Sequence, residues 1–107
     1  MNRDELIVLR KELREALADL FGSQLETLYL YGSQARGDAK PDSDIDVLVV
    51  LKDDFDYFDM VEYTGQTASK LSLKYDTVIS LAFTSREKFK NRRDPFLLNV
   101  HQDGVLL

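Results

Sequence analysis

The sequence contains no cysteine, which removes disulfides, thiol nucleophiles and thiolate zinc sites together. Such a chain suits a reducing cytoplasm. No apolar run approaches the roughly 20 residues that span a bilayer. The charged start Met1-Asn2-Arg3-Asp4-Glu5 does not have the form of a signal peptide. A soluble, cytoplasmic protein with no membrane partner is therefore expected. Basic residues are the minority, 14 Lys and Arg against 19 Asp and Glu, for a net charge of -5. That balance disfavours strong direct binding of nucleic acid, which rests on many Lys/Arg–phosphate contacts. Nucleotide binding through metal ions stays open, because carboxylates hold the cations that hold phosphates. The phosphate loop G-x-x-x-x-G-K-[ST] and the dinucleotide pattern G-x-G-x-x-G are both missing. Ser33 lacks the G-x-S-x-G elbow. The single histidine, His101, reads as an ordinary helix residue rather than a base.

What is present fits one compact domain over residues 1–107, with 44% apolar residues for a modest core. Leu6, Leu9, Leu13, Leu17 and Leu20 recur at three- and four-residue steps between charged residues. This is the pattern of an amphipathic helix over 4–21, stopped by Gly22-Ser23. Leu25 to Tyr31 reads as a first strand, followed by an irregular segment from Gly32 to Ser43. Asp44 to Leu51 reads as a second strand, and its run Val47-Leu48-Val49-Val50-Leu51 predicts burial on both faces. A helix from about Tyr57 to Leu71 and a third strand from Asp76 to Phe83 follow. Thr84 with Glu87 resembles a capping box opening another helix. Asp94-Pro95 opens a last helix through about His101, ended by Gly104. The order α-β-β-α-β-α-α belongs to the α/β (α+β) class, with a mixed sheet of three or four strands flanked by helices.

Default pairings gather the acidic residues. If the first two strands pair antiparallel, Gly32-Ser33 sits beside Asp44 and Asp46. If the helical crossover makes strands two and three parallel, Asp76 starts beside the start of strand two. Alternation places Asp44 and Asp46 on one face, roughly 7 Å apart. A divalent pair would relieve their repulsion, with Mg²⁺ or Mn²⁺ suited to hard oxygen ligands. Two ions about 4 Å apart can activate a hydroxyl and stabilise leaving pyrophosphate. Gly32 lets backbone approach phosphate, Ser33 can donate to it, and Arg36 supplies a cation. Taken singly, D-x-D and Gly-Ser are ordinary turn features, and Asp76 could simply start a strand or cap a helix. Asp42-x-Asp44-x-Asp46 mimics a calcium loop but has Val47 where glycine is needed and Asp53 where a glutamate is needed. Lys88, Lys90, Arg92 and Arg93 read as a solvated helix face.

Gly32-Ser33-Gln34-Ala35-Arg36-Gly37, then Ser43-Asp44-Ile45-Asp46-Val47, resembles the signature of the minimal nucleotidyltransferases, within the DNA polymerase beta-like superfamily. Ten residues separate Ser33 from Asp44, as that pattern requires. The resemblance implies that Asp44, Asp46 and Asp76 bind two Mg²⁺ ions and carry catalysis. It places the nucleotide, ATP, against Gly32, Ser33, Arg36 and Gly37. It also implies an antitoxin that adenylylates a tyrosine of a cognate HEPN-domain ribonuclease toxin, in a hetero-oligomer. The short chain has no room for a second domain to hold the acceptor, which independently points to a partner. Phe55-Tyr57-Phe58 and the tail Val105-Leu106-Leu107 are candidate docking surfaces, with core packing the plainer reading. Two alternatives stand beside this one: an antitoxin that only occludes its partner, and transfer to a small molecule such as an aminoglycoside.

Overall fold

The computed structural model describes residues 2–37, 44–91 and 93–107. Asp42 and Ser43 of the acidic motifs, and Arg92 of the basic run, lie outside the described residues.

The leucine stripe folds as α1, Arg3–Phe21, capped by the Asn2 side chain, which accepts from the Glu5 N–H. Leu9, Leu13, Leu17 and Phe21 are buried along it, with Leu6 and Leu20 half-buried at its margins. Strand β1, Leu25–Tyr31, pairs antiparallel with β2, Ile45–Leu51. Between them a short turn of helix, α2, runs Ser33–Arg36 and closes at Gly37 in the left-handed region. Helix α3, Tyr57–Tyr75, then carries the chain back so that β3, Ile79–Ser85, lies parallel to β2. Helices α4, Arg86–Asn91, and α5, Pro95–Asp103, lead to a two-residue strand β4, Val105–Leu106. The tail therefore supplies a fourth strand, and the sheet order is β3-β2-β1-β4.

Its central place leaves β2 buried on both faces, as its apolar run predicts. One face carries Ile45, Val47, Val49 and Leu51 against α1 and Leu71 of α3. The other carries Leu48 and Val50 against Phe89, Leu97 and Val100 of α4 and α5. Alternation then assigns Asp46 to this second face. Glu12 on α1 accepts from Lys74 at 2.8 Å and Tyr75 at 2.7 Å, tying α1 to the end of α3. Arg10 and Arg14 of α1 donate to the carbonyls of Leu106 and Leu107. Gly104 permits the turn into β4, since a Cβ there would stand 2.5 Å from the Val100 carbonyl oxygen. Among the described residues no helix is long and apolar enough to cross a membrane.

Several boundaries differ from the sequence reading. Helix α3 runs one turn further than Leu71, to Tyr75. The third strand does not start at Asp76, because Asp76 takes a left-handed conformation (φ 51, ψ 50) that caps α3. Ser72 Oγ then accepts from the Ile79 N–H at 3.1 Å, and the strand begins there. Thr84 stays in β3, and Ser85 caps α4 by accepting from the Lys88 N–H at 3.2 Å. Caps of this kind carry measurable stability: the Asp56 side chain accepts from the Asp59 N–H at the head of α3. Asp56→Ala should cost about 1 kcal/mol, a fall in Tm of roughly 4–8 °C by differential scanning calorimetry.

Candidate active site

The hairpin register sets the site. Tyr31, the last residue of β1, lies directly across from Asp46, and the chain turns immediately afterwards at Gly32. Gly32 has φ +73, a region that side chains strain to occupy. A Cβ placed there would come within 2.8 Å of Asp46 Oδ2. Glycine is needed twice over, for its torsion and for its emptiness. The Ala35 and Arg36 N–H groups donate to the Gly32 carbonyl, closing α2 beside the Asp46 carboxylate. Ser33 opens that turn half-buried, and Arg36 ends it exposed.

Asp44 precedes β2 and is exposed, whereas Asp46 is half-buried. Burial raises the Asp46 carboxyl above its usual range, and the neighbouring Asp44 charge raises it further. Both act against the ionised form of Asp46, one through loss of water and the other through repulsion. Burial also pushes the Tyr31 phenol up to about 12, with the Asp46 and Tyr57 charges adding to it. At neutral pH the Tyr31 phenol thus keeps its proton and is not a base.

On the other side of Asp46 stands Ser80 of β3, level with it in the parallel register. The Ile45 N–H donates to the Val78 carbonyl, so Asp76 lies two residues beyond the level of Asp44 at the same sheet edge. Asp76 is exposed there as a helix cap. Among the described residues no three acidic or histidine side chains form a group able to hold a metal ion. The structure gathers Gly32, Ser33, Asp44 and Asp46, and leaves Asp76 outside their cluster.

Several neighbours of this site were not singled out as functional from sequence. Tyr31 packs edge-on against Phe96 of α5, with ring centroids 5.1 Å apart. Phe96 in turn walls a cleft of about 520 Å³ over β3, shared with Tyr57, Lys88 and Arg93. The hairpin register could have exposed Tyr31, because the strand end and Asp46 must face each other. Nothing local marks Phe96, and Arg93 stands out in the sequence only as part of the basic run, although it lies between α4 and α5 rather than on a helix face. His101 stacks on Phe89 at 4.0 Å and holds the Phe89 carbonyl through Nε2, the structural role expected of it. Of the aromatic cluster, Phe55 packs on the core while Phe58 is 68% exposed.

Comparison with known proteins gives the arrangement a context. The family described as nucleotidyltransferase domain matches residues 10–103. A candidate protein adenylyltransferase of Methanocaldococcus jannaschii is 37% identical over 108 residues, covering 100% of this chain and 99% of that one. A crystal structure of a candidate nucleotidyltransferase from Sulfolobus solfataricus superposes with a TM-score of 0.62 at 25% identity, over 96% of this chain and 82% of that one. A chain from the crystal structure of a toxin–antitoxin with AMP-PNP gives a TM-score of 0.57 at 25% identity, over 99% and 72%.

Proposed function

The chain belongs to the nucleotidyltransferase domain family, and on that premise we propose that it transfers AMP from ATP to a hydroxyl of a partner protein. The observation that carries this reading is the Asp46 carboxylate, half-buried beside Asp44 and pressed against a turn whose glycine leaves it room.

The residues fit a divalent cation. Two carboxylates lie at one sheet edge, burial and repulsion disfavour the charge of Asp46 as it stands, and a side-chain-free turn leaves space for further oxygen ligands. Asp44 and Asp46 would hold Mg²⁺, two ions or Mn²⁺ in their place, and the metal would stabilise phosphate charge and ease ionisation of the acceptor hydroxyl. The chain's own groups do the rest. Gly32 and Ser33 bind phosphate oxygens at the turn, with Arg36 and Gly37 behind them. Tyr31 orients the carboxylate pair. Asp76, carried over from the motif resemblance, is the third carboxylate of this proposal. Attack is in line, so pyrophosphate leaves over the Gly32–Ser33 side while the hydroxyl enters from the opposite flank.

The residues 1–107 then make a single minimal nucleotidyltransferase domain, which works in the cytoplasm and depends on a partner for its acceptor. Following the motif resemblance, the partner is a HEPN-type toxin and the acceptor a tyrosine, with this chain as the antitoxin. The likeness to a toxin–antitoxin chain crystallised with AMP-PNP supports that pairing. The test is label transfer from α-³²P-ATP to the protein encoded by the adjacent gene, with Mg²⁺ present. Transfer is expected with the native chain and should vanish in the double variant Asp44→Asn/Asp46→Asn. A double variant that still labels its partner overturns the mechanism. One that binds and fully silences the partner favours simple occlusion.

A further inference from the structure

Resting on the nucleotidyl-transfer reading, we propose that the cleft over β3 is the acceptor subsite and takes a peptide whose tyrosine is flanked by acidic residues. The floor of the cleft includes Ala82 and Thr84. Ala82 is two residues along β3 from Ser80, the neighbour of Asp46, a step of roughly 7 Å. Phe96 links the two places, since its ring both lines the cleft and packs on Tyr31 opposite Asp46. The cleft thus opens on the β3 flank of the carboxylate pair, while Gly32 and Ser33 occupy the β1 flank. In-line attack puts nucleophile and leaving group on opposite sides of the phosphorus. If pyrophosphate departs over β1, the hydroxyl arrives over β3.

The lining says what kind of segment brings it. Tyr57 is 50% exposed and Phe96 37% exposed, so two aromatic walls remain open to a ring between them. An aromatic side chain gains from such offset or edge contacts where a serine or threonine would not. Lys88 and Arg93 stand at the same cleft, in a chain whose net charge is -5. Neither has an ion pair or side-chain hydrogen bond among the described residues. The one carboxylate of the lining, Asp94, is engaged as the cap of α5, accepting from the Phe96 N–H at 2.8 Å. Two cations against that one carboxylate leave the lining with an excess of positive charge, which suits acidic side chains next to the tyrosine.

Two fluorescein-labelled peptides, one with tyrosine between glutamates and one with tyrosine between lysines, test this by fluorescence anisotropy on the native chain. We expect the acidic peptide to bind about ten-fold more tightly or better, with the preference fading as salt rises. Lys88→Glu/Arg93→Glu should abolish or invert the preference while calorimetric affinity for ATP with Mg²⁺ stays within about two-fold. The neutral pair Lys88→Ala/Arg93→Ala, checked for an unchanged thermal melt, should show an intermediate loss. Equal binding of the two peptides by the native chain overturns the proposal. So does a parallel loss of ATP affinity in the variants, which would give the cleft to the nucleotide. So does stronger displacement of the acidic peptide by single-stranded oligoadenylate than by unlabelled peptide. Binding is read without transfer, so missing label transfer counts against the nucleotidyltransferase reading alone. Missing charge preference counts against the cleft alone.

Discussion

Asp46→Asn should lower AMP transfer at least about 10³-fold, the scale expected when a charge-stabilising group of a phosphoryl site is lost. The metal-free protein should not suffer for it. In the folded chain Asp46 is held half-buried against Asp44, and both effects penalise its charge. Removing that charge relieves the penalty, discounted for partial exposure to a few tenths of a kcal/mol, or a Tm rise of roughly 1–4 °C. Activity and stability should therefore move in opposite directions. Asp44→Asn should reduce transfer strongly as well but with a smaller thermal effect, because Asp44 is exposed. Asp76→Asn should act least, by about 10²-fold, the low end for a group assisting proton transfer, since Asp76 stands apart as a helix cap. Steady-state transfer kinetics beside thermal melts in a chelator would read all three. An Asp46→Asn protein that transfers at the native rate removes the site from consideration.

Gly32→Ala carries the second large effect and arises differently. The added methyl would meet a backbone torsion of φ +73 and a carboxylate oxygen 2.8 Å away. The torsion alone costs about 1–2 kcal/mol, or a Tm lower by roughly 4–15 °C. The contact cannot stay at that distance, so the Asp46 side chain must swing away or the turn must open. Displacing a reacting group by about 1 Å can cost on the order of 10²-fold in rate, and that loss is expected in kcat at saturating Mg²⁺. Rates should be normalised to folded protein, so that the thermal effect is separated from the chemical one. If the normalised kcat is unchanged, the turn is structural and the carboxylate does not depend on its emptiness.

Much of this site was legible in the chain because it depends on local rules. Strand alternation and the hairpin default place Gly32-Ser33 against Asp44 and Asp46, and the observed register agrees. The parallel pairing of β2 and β3 was legible for the same reason: a helix joins them. Asp76 was misplaced because Thr77-Val78 looks like strand by composition. In the structure a single left-handed residue ends α3 and spends those residues on the connection. Aspartate tolerates that conformation better than most side chains, so the sequence carried only a faint sign of it. The α4 cap falls one residue later than Thr84, because Thr84 lies inside β3 while Ser85, the last residue of that strand, presents its hydroxyl to the Lys88 N–H. The β3 cleft was not legible at all. Its walls come from α3, α4 and α5, and their convergence depends on how helices pack across the sheet rather than on any local pattern.

The closing pair Val105–Leu106 has a consequence for biosynthesis. Strand β1 pairs with β2 on one side and with β4 on the other, and its Tyr29 and Leu30 meet Leu106 and Val105. As the chain is made, β1 can pair with β2 early, but its second edge must wait for residues more than 70 positions later. An open edge on an apolar strand invites pairing with other chains, and contacts so distant in sequence form slowly. A nascent chain stalled before Gly104 would leave that edge exposed. The short β4 segment, with Arg10 holding the Leu106 carbonyl and Arg14 the Leu107 oxygen beyond it, is thus a late seal against aggregation during synthesis.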